Sequence, residues 1–249
     1  MTSRPRILLI NPNTVERVTE TMAAEARIVA GDDAEIRAVT APFGAGGIEN
    51  LAEATIAAHA VLVRLSENLD CDAAIVAAFM DPGLDALREI DAMPAVGLGE
   101  AGFRAAAAGR RFALVTVARN LRPAVDAMVA RLGLGDRLAG MRYVDATVPQ
   151  LAIGRSALLP AIAAVARDCV EQDGAEAILF GGAIFAGVHR DLGDAIGVPL
   201  VDGIGAATRE AVALARAAPS PVILHDPPGK ASVGLSEALA RLIDRPNRR

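Results

Sequence analysis

At 249 residues, 53% of them hydrophobic, the chain is long enough to bury a sizeable core, as one α/β domain or as two of about 100–125 residues. A formal net charge of −5 provides no electrostatic footprint for nucleic acid or for an acidic membrane surface. Cys71 and Cys169 make neither a disulfide framework nor a metal-ligand spacing, and residues 7–10 are too short for a signal peptide. No apolar run approaches the roughly 20 residues of a membrane span, so a cytoplasmic protein is expected.

The first element carries the most information. Arg6-Ile7-Leu8-Leu9-Ile10 runs straight into Asn11-Pro12-Asn13-Thr14. A continuous apolar run closed by a turn motif suits a strand buried on both faces, placed at residues 7–10. Asn13 is expected to cap a helix over residues 15–30, with Glu16 as its capping-box partner. Main-chain N–H groups there, with the Asn11, Asn13 and Thr14 side chains, would receive a small carboxylate.

Strand-like and helix-like periods then alternate. Strands are expected at residues 35–40, 73–78 and 94–97, and helices at 51–69 and 100–108. Residues 42–47 form a glycine-rich loop, and Asp81-Pro82 opens a further helix with Asp81 as its cap. A second round places strands at 112–117, 141–144, 177–180 and 199–201, and helices at 120–132, 156–172, 191–196, 206–217 and 235–243. A loop at 146–154 carries Thr147 and Gln150, and Pro227-Pro228-Gly229 forms another.

The two rounds repeat. Asp72-Ala73-Ala74-Ile75-Val76-Ala77-Ala78 aligns with Glu176-Ala177-Ile178-Leu179-Phe180-Gly181-Gly182, and Pro94 aligns with Pro199. The expected fold is α/β: two similar Rossmann-like lobes with parallel sheets, related by a pseudo-two-fold axis. The lobes would comprise residues 1–98 with 205–249, and 99–204. Ligands bind beyond the carboxyl ends of parallel strands, so Asn11, Ala78, Thr116 and Gly182 would surround one active-site cleft.

Asn11-Pro12-Asn13-Thr14, Asp81-Pro82-Gly83-Leu84, the strand at 112–117 and Gly197-Val198-Pro199-Leu200-Val201-Asp202-Gly203 resemble the aspartate/glutamate/hydantoin racemase superfamily, most closely its hydantoin and allantoin racemase branch. The resemblance implies two α/β lobes with a small substrate between them, no cofactor and a homo-oligomer. It also implies two cysteines, one per lobe, on opposite faces of the substrate. One thiolate removes the α-proton while the other thiol returns one. This chain departs from that pattern: Ala78 and Gly182 stand at the two cysteine positions, and the internal repeat pairs these same residues. Cys71 falls before its strand and Cys169 within a helix.

What remains is non-thiol chemistry. Gly181, Gly182 and Ala183 can present consecutive N–H groups to an oxyanion, with Phe79, Thr116 and Val117 beside them. Asp81, His189 and Glu49 are the candidate bases, and no metal is implied. The expected activity is hydrolysis, decarboxylation or isomerisation of a small carboxylate, lactone or cyclic amide through a stabilised anion. Alternatives are a racemase with non-cysteine bases and a catalytically silent small-acid binder. Tyr143, the sole tyrosine, is read as packing.

Overall fold

The computed structural model describes residues 4–145, 155–217 and 231–244. The expected loops at 146–154 and 227–229, and His225, lie outside the described residues. Two four-stranded parallel sheets organise the chain. The first contains β1 (Arg6–Asn11), β2 (Glu35–Thr40), β3 (Ala73–Val76) and β4 (Ala95–Gly97), in the order β2-β1-β3-β4. The second contains β5 (Phe112–Thr116), β6 (Leu138–Tyr143), β7 (Ile178–Phe180) and β8 (Leu200–Asp202), in the order β6-β5-β7-β8. Each strand has a counterpart four places later, as an internal repeat requires.

Side-chain alternation explains why β1 and β5 read as unbroken apolar runs. Ile7 and Leu9 enter a central cluster shared by both sheets, while Leu8 and Ile10 enter a cluster on the outer face of the first. Phe112 and Leu114 repeat the inward choice, and Ala113 and Val115 the outward one. Both faces of each strand are therefore covered, which parallel sheets require. Burying each such large aliphatic side chain is worth about 1.5–3 kcal/mol.

The helices are α1 (Glu16–Ala30), α2 (Leu51–Ser66), α3 (Leu84–Ile90), α4 (Leu98–Ala107), α5 (Arg122–Arg131), α6 (Leu159–Glu171), α7 (Val188–Leu192), α8 (Gly203–Arg216) and α9 (Glu237–Ile243). Helix α8 packs on α4 and α1 and against β1, β3 and β4. The α4–α8 approach is close: a Cβ at Gly203 would stand 2.4 Å from Leu98 Cδ2, and one at Gly102 3.3 Å from Gly203 Cα.

Two expected caps are corrected. Val15, not Asn13, occupies the N-cap of α1; Asn13 Oδ1 instead accepts the Val15 N–H at 2.9 Å, a turn formed before the helix begins. Asp81 does not cap the helix after it, because Gly83 takes that place at φ 82°. Asp81 caps α4 instead, its two carboxylate oxygens accepting the Gly99 and Glu100 N–H groups at 2.8 Å each. Helix α7 also begins earlier than expected, between Gly187 (φ 79°) and Gly193 (φ 53°), conformations that favour glycine.

Candidate active site

Two equivalent turns, one after β3 and one after β7, line one cleft. After β3, Ala77 N–H donates to Ile10 O at 2.8 Å and Asp81 N–H to Ala78 O at 2.9 Å. After β7, Gly181 N–H donates to Val115 O at 2.8 Å and Phe185 N–H to Gly182 O at 3.0 Å. Between these anchors, the N–H groups of Ala78 and Phe79, and of Gly182 and Ala183, have no acceptor among the described residues. All four residues line one cleft of ≈ 630 Å³, its open mouth included.

Three polar side chains join them. Asn13 Oδ1 is engaged by Asn11 Nδ2 and by the Val15 N–H, which leaves the Asn13 NH₂ as a donor. Thr116 Oγ1 accepts the Ala118 N–H at 3.3 Å, leaving its hydroxyl proton to donate. Glu49 stands exposed on the cleft wall. It is held there by a capping box in which Asn50 Oδ1 accepts the Glu53 N–H and Glu53 Oε2 accepts the Glu49 N–H. Val18, Ile48, Val117, Leu121 and Ile184 supply apolar wall. Sequence reading passed over Val18, Leu121 and Ile184 because each also fits an ordinary core position. No Lys, Arg or His lines the cleft among the described residues, so any anion here must be held by neutral donors.

The cleft thus gathers Glu49, Asn13, Ala78, Phe79, Thr116, Val117, Gly181, Gly182 and Ala183. It leaves out four other candidates. Asn11 is fully buried and consumed by local structure: Nδ2 donates to Asn13 Oδ1, Val15 O and Thr19 Oγ1, and Oδ1 accepts the Asn13 N–H. It shapes the turn and offers no free donor. Thr14 is exposed, its N–H bound to Ala45 O. His189 sits with Nδ1 at 2.8 Å from Asp202 Oδ2 and is not part of the cleft wall. Asp81 is committed to α4.

Cys71 and Cys169 are free, buried and absent from the wall. Burial raises the Cys71 thiol above its ordinary value and pushes Cys169 up to about 12, far from the range a catalytic thiol needs. Tyr143 lies under the Arg119 guanidinium, 4.7 Å from ring centre to Cζ.

Burial pushes the Asp81 carboxyl up to about 7, against the opposing pull of the Gly99 and Glu100 amides. A native value above the unfolded one means that the folded state binds the proton more tightly. The contribution of this group is therefore fully present below about pH 4 and is lost as pH rises toward 7. Asp81→Asn should flatten the fall in stability across that window, as measured by urea unfolding at pH 5 and pH 8. Parallel curves for parent and variant would show that Asp81 does not titrate there.

The model of the Asp/Glu/hydantoin racemase family matches residues 7–211. A hydantoin racemase of Paenarthrobacter aurescens is 33% identical over 213 residues, spanning 84% of this chain and 90% of its own. The allantoin racemase from Klebsiella pneumoniae superposes with a TM-score of 0.80 at 31% identity, over 84% of this chain and 87% of that one. The allantoin racemase from Pseudomonas fluorescens does so with a TM-score of 0.79 at 32% identity, over 88% and 99%.

Proposed function

The chain belongs to the Asp/Glu/hydantoin racemase family, and from that premise we propose a cofactor-free enzyme acting on a small cyclic amide of the hydantoin type by non-thiol chemistry. The proton beside a ring carbonyl passes to the Glu49 carboxylate, directly or through one water. The C–H electron pair moves onto the carbonyl, and the resulting enolate oxygen accepts main-chain N–H donors at Gly182 and Ala183 or at Ala78 and Phe79. Water returns a proton to the opposite face of the same carbon, Glu49 releases the proton it took to solvent, and the isomerisation is complete.

One observation carries this reading. Glu49 is the only ionisable side chain on the described cleft wall, and it shares that wall with two pairs of unengaged amides. The donor set also bears on the substrate. A free amino-acid carboxylate would be buried without a cationic partner, which is costly, whereas a ring amide asks only for neutral hydrogen bonds. The hydantoin and allantoin racemases among its relatives point to the same ring chemistry.

The test is proton NMR of 5-benzylhydantoin and of allantoin in D₂O. The parent protein should wash out the ring α-hydrogen faster than buffer, and Glu49→Gln should slow that exchange by about a hundredfold, the scale of a lost general base. Exchange no faster than buffer would overturn the proposal. Ring opening or loss of carbon dioxide without exchange would assign a hydrolase or decarboxylase. Thermal stabilisation by the ring compound with no turnover would assign a binder.

A further inference from the structure

Outside the cleft lining, α1 meets α7 and the end of β8 at a cluster of ionisable groups. Glu25 and Asp202 are each 4% exposed, and His189 joins them; one ligand atom from each lies within 4.8 Å of the others. Asp202 divides its carboxylate between two tasks. Oδ1 accepts the Gly205 N–H at the start of α8, and Oδ2 stands 2.8 Å from His189 Nδ1. That Nδ1 is nevertheless buried without closing a hydrogen bond, and so is Glu25 Oε1. Arg190 pairs with Glu25 Oε2, its Nη1 lies 3.5 Å from His189 Nε2, and its side chain is 39% exposed.

Buried polar atoms normally close hydrogen bonds. Here Glu25 Oε1 and His189 Nδ1 close none, although the nitrogen lies 2.8 Å from Asp202 Oδ2, which converges with them. A cation among the three would satisfy all of them, and two carboxylates with one imidazole suit zinc or manganese. Arg190 supplies the positive charge from the solvent side, and its exposure gives it room to swing away. We propose that Glu25, His189 and Asp202 bind a divalent transition-metal ion, zinc foremost, in exchange for the Arg190 guanidinium.

The place of this cluster defines what the ion would do. Glu25 belongs to α1, which follows β1 of the first sheet and carries Val18 to the cleft wall. His189 and Asp202 follow β7 and end β8 of the second sheet, and the cleft residues Gly182, Ala183 and Ile184 lie just before α7. The ion would clasp the two sheets beside the cleft. Gly187 keeps the backbone tight against the cluster: a Cβ there would stand 2.7 Å from Glu25 Oε2, at φ 79°.

The full chain, stripped with EDTA and dialysed, is titrated with zinc chloride, then with manganese chloride, by calorimetry and thermal unfolding. One zinc per chain is expected, with Tm rising by about 5–10 °C at a hundredfold excess over Kd. Glu25→Gln and His189→Gln should each weaken binding by at least the roughly tenfold to hundredfold that supporting partners of metal ligands are worth. Arg190→Gln is the sharper variant, since its side chain is partly in solvent and the change removes the competing cation; it should bind zinc more tightly than the parent. The proposal is overturned by the absence of saturable binding, by binding that Glu25→Gln leaves unchanged, or by weaker binding in Arg190→Gln. That last outcome would identify the cluster as an ion-pair network only.

Discussion

A chain carrying both Ala78→Cys and Gly182→Cys is expected to exchange the α-hydrogen of a hydantoin at least about a hundredfold faster than the parent, with racemisation. The two positions occupy matched places after β3 and β7 and line one cleft from opposite sheets. A thiol has an ordinary pKa of about 8.5, close enough to neutrality to give or take a proton, and the unengaged amides beside each position would favour the thiolate. Alanine and glycine can do neither. The Ala78 position takes the sulfur on an existing Cβ. Gly182 is harder, because its φ of 131° is one that side chains rarely adopt. Space is not the obstacle, since the nearest atoms to a new Cβ are Ile184 Cγ1 at 3.7 Å and Phe185 Cδ2 at 3.8 Å. The backbone must turn, at a cost of about 1–3 kcal/mol. The double variant should therefore melt a few degrees lower while working faster. Deuterium exchange and loss of optical rotation on one sample provide the check, and a well-folded double variant no faster than its parent would contradict the placement of the reacting centre.

The largest loss of stability is expected from Gly99→Ala. A Cβ there would lie 2.1 Å from the Phe79 carbonyl oxygen and 3.0 Å from its carbon. This is backbone against backbone, so no rotamer change relieves it. The same glycine donates its N–H to Asp81, which ties the α4 start to the turn that holds Phe79. Overpacking of this kind costs about 3 kcal/mol or more, a fall of roughly 6–12 °C in Tm for a chain of this size. Phe79 lines the cleft, so activity should fall with it. Gly135→Ala is the control, since nothing lies within 4 Å of its added Cβ; thermal unfolding should leave it within about 0.5 kcal/mol of the parent. Similar melting of the two variants would refute the crowding at Gly99.

The strands were legible because burial on both faces leaves an unmistakable mark. Residues 7–10 and 112–115 are apolar without interruption, and turn residues close each run. The repeat was legible for the same reason: sheets of identical order demand similar strands at a constant spacing. The caps were not. Asp81-Pro82-Gly83 reads locally as a helix start, yet the amides that Asp81 serves stand 18 and 19 residues away, beyond any local pattern. Asn11 looked like a ligand donor because its residue type fits. Only the folded turn shows its side chain consumed by Asn13, Val15 and Thr19. His189 read as a rim base because it follows Gly182 closely, but α7 carries it toward Asp202 and Glu25, residues distant in sequence. The glycine loop before Glu49 suggests it as a base, and the Asn50 and Glu53 hydrogen bonds that fix its backbone appear only in the folded turn.

Helices α4 and α8 follow corresponding strands, β4 and β8, and pack against each other between the sheets. That is the contact a chain of half this length would make with its own copy. An ancestor encoding a single half would have been a symmetric dimer, its cleft built across the subunit boundary with the same turn on either face of the guest. Where Ala78 matches Gly182, and where Gly97 closes one strand and Asp202 the other, the two halves are no longer interchangeable.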